Sequence, residues 1–201
     1  AEHALDQIGT QARAKQALLR LRRLATPRGL EEGPCALVGG HSGMLQVIDV
    51  GVPSNPLILG GIHIDYSFAS SITIAGDVAY FTRSYGLDLI DITHFTSPDI
   101  VGSENTQGSA NDVAVAGNHA FVATPFELRV IDISNPADPG TVGFVSIPGL
   151  ALGVAVQGDH AFVASYDMGM SVIDITNPAS PQHVGSVDTP KAARGVAVSG
   201  T

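Results

Sequence analysis

From residue 36 onward the hydrophobic and polar positions follow a period of two, not 3.6. In Asp112–Ala116 the branched Val113 and Val115 alternate with the small Ala114 and Ala116, the pattern of a short strand packed on both faces. Gly117-Asn118 follows, a pair suited to a positive-φ hairpin turn, and His119–Ala123 (HAFVA) returns as a second strand. A third strand is predicted over Glu127–Ile133 (ELRVIDI). Ser134–Pro139 contains two prolines, which cannot donate to a ladder, so the chain must turn there before a fourth strand over Thr141–Ile147.

The same order recurs along the chain. VIDV, LIDI, VIDI and VIDI place Asp49, Asp91, Asp132 and Asp174 at steps of 42, 41 and 42 residues. Pro56, Pro98, Pro139 and Pro181 each follow an aspartate by seven residues, and Gly60, Gly102, Gly143 and Gly185 follow each proline by four. ITIAGD, VAVAGN, VAVQGD and VAVSGT put Gly76, Gly117, Gly158 and Gly200 in register. A fixed period of this length is the mark of a repeat architecture. Four short antiparallel strands per unit make one propeller blade, and blades bury both faces only by stacking around an axis. The predicted fold class is all-β: a β-propeller of about four four-stranded blades over residues 34–201. Its units fall at about 36–65, 66–107, 108–149 and 150–189, with the first strand of a further or ring-closing unit in 190–201.

The units GVAVQGDHAFVASYDMGMSVIDITNPASPQHVGSV and DVAVAGNHAFVATPFELRVIDISNPADPGTVGFV resemble the LVIVD-repeat family of bacterial and archaeal cell-surface proteins, over roughly residues 36–201. The resemblance implies a β-propeller at an extracytoplasmic or cell-surface location, acting as a non-enzymatic binding or scaffolding module for a protein or carbohydrate partner. Phe95 departs from the pattern, standing where other units have Pro53, Pro136 and Pro178. The aspartate that often ends the second strand is also missing, its place taken by the neighbourhoods of Arg83, Pro125 and Tyr166. With no Trp in the chain, Trp-Asp and kelch-type propellers fit less well.

The two ends of the repeat region are complementary. Aligning CALVGGHSGMLQVIDV with HAFVASYDMGMSVIDI gives the N-terminal unit strands two, three and four, with GLEEGP upstream a poor first strand, whereas ARGVAVSGT is a first strand without a blade. Pairing Val196–Val198 beside Ala36–Val38 would close a four-bladed ring and remove its exposed edges; the alternative is a piece of a longer propeller.

Residues 1–33 read differently. Ala4–Ala25 lacks proline and is rich in Ala, Leu, Gln and Arg, which predicts an α-helical leader ending before Thr26-Pro27, with Ala14, Leu18, Leu21 and Ala25 on one stripe. The leader holds six basic residues against four acids, and residues 34–201 hold four against fifteen. The basic half of the helix would suit an anionic membrane surface or the acidic body, or the segment is a plain linker. A body this acidic repels a phosphate backbone, which argues against a nucleic-acid partner. No apolar run approaches the roughly 18–20 residues of a membrane span, and no signal segment opens the chain. The single Cys35 excludes an internal disulfide and fits both reducing compartments and cysteine-poor exported proteins.

Candidate chemistry is sparse. Asp49, Asp91, Asp132 and Asp174 occur once per unit, too far apart to share a metal, and read as structural turn caps. His119 and His160 are repeat positions, no histidine spacing suits zinc, and Cys35 reads as packing. Neither a calcium loop, a phosphate-cradling glycine motif nor a Gly-x-Ser-x-Gly elbow is present, so no catalytic residue, metal or cofactor is predicted. Repeats hold the scaffold constant while binding residues diverge, which singles out the innermost strand starts: Ser70-Ser71, Asn111-Asp112, Leu152-Gly153 and Arg194-Gly195. These should ring one mouth of the central channel, where Ser71, Asn111, Asp112 and Arg194 are the candidate ligand-binding residues. An enzyme reading, hydrolase or lyase, would use the same mouth.

Overall fold

A strand whose alternate side chains are all apolar needs a neighbour on each face, and the architecture supplies them. The computed structural model describes residues 17–20, 25–26, 29–30, 34–40, 43–64 and 70–199. In chain order, β1 (Ala17–Arg20) precedes a short ladder of β2 (Ala25–Thr26) and β3 (Gly29–Leu30). β4 (Pro34–Gly39), β5 (Met44–Asp49) and β6 (Leu57–His63) complete blade 1 in the order β1-β4-β5-β6. Blade 2 is β7 (Ile72–Ala75), β8 (Val78–Arg83), β9 (Gly86–Asp91) and β10 (Asp99–Asn105). Blade 3 is β11 (Asp112–Ala116), β12 (His119–Ala123), β13 (Glu127–Asp132) and β14 (Gly140–Ser146). Blade 4 is β15 (Ala151–Gln157), β16 (His160–Ser165), β17 (Met170–Asp174) and β18 (Gln182–Val187). All four sheets are antiparallel, no described residue is helical, and the fold is propeller-like.

Each hairpin between the first two strands of blades 2 to 4 turns on Gly76, Gly117 or Gly158, with φ of 59°, 56° and 57°. Positive φ at the first central position is the two-residue turn that glycine accepts without strain. Period-two alternation then divides the side chains between neighbours. Phe81 and Ile90 face blade 1, joining Leu37, Leu45 and Val47, while Tyr80 and Leu89 face blade 3, joining Val122 and Ile131. From blade 3, Phe121 and Val130 meet Val163 and Ile173 of blade 4.

The repeated glycines serve these junctions. In every blade the outer strand carries a bulge one residue before the glycine, for example at Val130/Ile131 opposite Gly143 and Thr141. A Cβ on Gly60 would strike the Phe95 carbonyl of the next blade, on Gly102 that of Pro136, and on Gly143 that of Pro178. Only glycine permits so close an approach of two backbones. Gly185 has nothing within 4 Å.

Two expectations at the ends are corrected. Of the leader helix predicted over residues 4–25, the described Ala17–Arg20 is instead extended, pairing antiparallel with Pro34–Leu37, as Ala25–Thr26 pairs with Gly29–Leu30; the rest of that helix lies outside the described residues. The open edge of β4 offers backbone partners to whichever segment reaches it, and that pairing outweighs modest helix propensity. Val196–Val198 does not pair with Ala36–Val38, whose edge β1 holds. The innermost strands pack in the sequence β1, β7, β11, β15, and among the described residues no comparable packing joins β15 to β1. The two sites lie at opposite ends of an arc, with β7 and β11 between them. Residues 200–201 lie outside the described residues.

Candidate functional site

In an antiparallel blade the inner strand begins where the second strand ends, so inner-strand starts share one end of the molecule with the loops between second and third strands. Backbone bonds fix this end: Arg83 O accepts from Ala110 N, Pro125 O from Ala151 N and Tyr166 O from Ala193 N. Ala193 therefore leaves blade 4 as Ala110 and Ala151 leave the blades before it, and Gly195 stacks on Gly153.

Of the four mouth residues, the structure brings Ser71 and Asp112 into direct contact. Ser71 and Asp112 are 3% and 2% exposed, and Ser71 Oγ donates to Asp112 Oδ1 at 2.6 Å. Val154 N donates to Asp112 Oδ2 at 2.9 Å, so one carboxylate staples three successive inner strands. Asn111 Nδ2 donates to Ala151 O at 2.7 Å, and Thr73 Oγ1 to Val113 O at 2.8 Å. Arg194 instead stacks over the Tyr166 ring, 5.2 Å from its centroid. Buried and holding the Ser71 hydroxyl and the Val154 N–H, Asp112 offsets its desolvation within the scaffold.

Three large apolar side chains are exposed at this end, and they were not singled out from the sequence. Tyr85, Phe126 and Met168, in the loops between second and third strands of blades 2, 3 and 4, are 65%, 69% and 50% exposed. The signal was present in the diverging loops RSYG, TPFE and SYDMG, each carrying a large side chain where neighbouring units agree on both flanks. Blades 2 and 3 also hold paired charged groups. Asp88, 2% exposed, accepts from Arg83 Nε at 2.9 Å and Ser103 Oγ at 2.7 Å. Arg129 pairs with Glu127 at 3.0 Å and lies 5.7 Å from the Phe144 ring centroid.

The opposite end carries the repeated aspartates. Asp49, Asp91, Asp132 and Asp174 each accept through Oδ1 from the N–H two residues on, at Gly51, Thr93, Ser134 and Thr176, at 2.7–2.8 Å. These Asx turns start the proline-containing connections. The Thr93 and Ser134 N–H groups, and at Asp174 the Thr176 hydroxyl, hold the carboxyls of Asp91, Asp132 and Asp174 below their ordinary value. Blade 2 has an open, polar depression here, lined by Asp91, Thr93, His94, Ser97 and Asp99. Among the described residues no three His, Cys, Asp or Glu side chains are grouped to hold a metal. Cys35 is 3% exposed in the core, and burial, with the Asp49 charge second, pushes its thiol up to about 11. A thiol that stays protonated at neutral pH is a poor nucleophile.

Comparison with known proteins fits this scaffold. The LVIVD repeat matches residues 68–106, 107–146 and 148–189. No curated protein matches the sequence. Among solved structures, the crystal structure of the computationally designed Ika8 protein is similar in fold at 13% identity and a TM-score of 0.63, over 79% of this chain and 48% of that one. The chain thus spans about half the length of that protein. The repeat covers more than half of the chain and coincides with blades 2 to 4, and the protein belongs to the LVIVD-repeat family.

Proposed function

We propose that this protein is a non-enzymatic binding or scaffolding module at the cell surface, engaging a protein or carbohydrate partner through the loop end of its blades. One observation carries the reading: Tyr85, Phe126 and Met168 expose large apolar side chains from equivalent loops of three successive blades, between strands that keep the same place in each blade. Exposed apolar groups arrayed on a rigid frame mark interaction surfaces more often than chance exposure does. An aromatic ring suits either the face of a sugar or the apolar core of a protein interface. Arg194, stacked on Tyr166 at the same end, adds a cation able to meet a carboxylate. The hydrolase or lyase alternative gains no support, because it needs an acid, a base and an oxyanion donor converging on one point, and Asp112 is already engaged.

The test is retention of labelled protein on two supports, purified cell-wall polysaccharide and immobilised envelope protein. Saturable retention on one of them is expected, falling at least tenfold in Tyr85→Ser/Phe126→Ser with the far-UV spectrum unchanged. Retention equal to that of the parent would remove the loop end from the interaction.

A further inference from the structure

Tyr85 and Phe126 hold the same place in adjacent blades, and each of those blades packs against a neighbour on both sides. Their loops are pinned. Thr106 N donates to Tyr85 O at 3.2 Å and Ile147 N to Phe126 O at 2.8 Å, which ties each ring's backbone to the connection leaving its own blade. The connection out of blade 2 then reaches blade 3, where a Cβ on Gly108 would lie 3.9 Å from Pro125 Cδ. Gln107 thus stands between the two aromatic loops. It is exposed, its φ is 56°, and its N–H donates to Asn105 Oδ1 at 2.8 Å. A residue other than glycine is uncommon in that left-handed region, and such backbone gathers at ligand clamps.

The chemistry of this strip separates two classes of partner. A sugar ring stacked on an aromatic side chain needs polar groups at its edge to take its hydroxyls. At this end of blades 2 and 3 such groups are engaged within the fold. Arg83 and Ser103 donate to Asp88, Thr106 Oγ1 to Gly108 O, Asn111 Nδ2 to Ala151 O and Thr124 Oγ1 to Glu127 O. The Gln107 side chain carries one amide, the complement of a main-chain amide. Charge adds a second constraint. Residues 70–189 hold two basic residues, Arg83 and Arg129, against thirteen acids, and both bases are paired with a carboxylate. The field left over is negative, so it attracts cationic groups and repels anionic ones.

We infer that the loop end of blades 2 and 3 docks an extended segment of a partner protein. Large apolar side chains of that segment seat against Tyr85 and Phe126, its main chain passes Gln107, and Lys or Arg side chains flank the apolar pair. The inference rests on the binding role proposed above and narrows it to a protein partner with a basic, apolar recognition segment. Burial of the two rings supplies affinity, because side chains on loops already pinned lose little freedom on binding. The negative field speeds encounter and sets which segments are accepted.

Selection of a phage-displayed library of random twelve-residue peptides on the immobilised 201-residue chain tests it, with Tyr85→Ser/Phe126→Ser as the counter-selecting surface. Enriched peptides should hold at least two large apolar residues and a net positive charge. By fluorescence anisotropy, a synthetic peptide of the enriched sequence should bind the double variant at least tenfold more weakly than the parent, and the parent at least threefold more weakly in about 500 mM NaCl than in about 50 mM. Gln107→Gly, which keeps the backbone and removes the amide, should weaken binding several-fold. Enrichment no greater on the parent than on the double variant, enriched sequences that are acidic or lack the apolar pair, or an affinity unmoved by salt or by Gln107→Gly would overturn the inference. Retention on cell-wall polysaccharide through Tyr85 and Phe126 with no peptide enriched sinks this inference and leaves the binding role of the loop end standing. No enrichment and no retention on either support removes both.

Discussion

Gly143 and Gly185 hold the same place in the repeat, after the same bulge of the same outer strand, yet one is enclosed and the other open. The interior junctions and the two flanks are built from one motif and differ only in whether a neighbour is present. The difference separates what a blade needs for itself from what it needs for stacking. The ladder, the hairpin glycines and the Asx turns belong to the blade; the repeated Gly and Pro belong to the junction.

The sharpest way to break this comparison is to remove matched side chains. Ile131→Ala, fully buried between blades 2 and 3, should cost about 2–5 kcal/mol, and the half-buried Ile48→Ala clearly less, measured by urea unfolding. Equal losses would show that the flank is as tightly packed as the junction. Gly143→Val should cost about 1–3 kcal/mol or more, because the atoms it meets are backbone and cannot yield; Gly185→Val under the same conditions should stay within about 0.5 kcal/mol.

At the hub, Asp112→Ala leaves the Val154 N–H and the Ser71 hydroxyl without their acceptor, at an expected cost of about 1–3 kcal/mol. Arg194→Ala, whose side chain lies on an exposed segment, should barely move the unfolding midpoint. Retained stability in Asp112→Ala would mean that the staple between inner strands is dispensable.

The smallest effect concerns acid. Asp91, Asp132 and Asp174 have folded values below 3.8, so the stability they supply is complete above the unfolded value and is lost as pH falls through the folded ones. The melting temperature of the parent should therefore decline below about pH 4. A triple Asp→Ala variant should start lower at neutral pH and decline less, and parallel curves would remove the turn caps from the acid response.

Much of a blade was legible in the chain. Val113 and Val115 alternating with Ala114 and Ala116, Gly117-Asn118, and the prolines after Asp132 each state a local backbone requirement that any fold would have to meet. The mouth was less legible. Ser71, Asn111, Asp112 and Arg194 stood out by divergence, but divergence does not tell whether a polar group faces solvent or its neighbour, and Asp112 turned out to face both Ser71 and Val154. Tyr85, Phe126 and Met168 vary in the same way and are exposed.

Ala17–Arg20 shows the limit from the other side. Its composition favours a helix, and it forms a strand because β4 has an unpaired edge within reach. The sequence by itself determined the period, the strands, the turns and the stacking of blades, since these follow from alternation, glycine and proline within a few residues of each other. The tertiary structure alone decided which segment takes the inner edge of blade 1, which carboxylate is consumed by the hub and which flank glycines stay open. Those outcomes depend on what lies across a junction, and the occupant there is some 40 residues away in the chain.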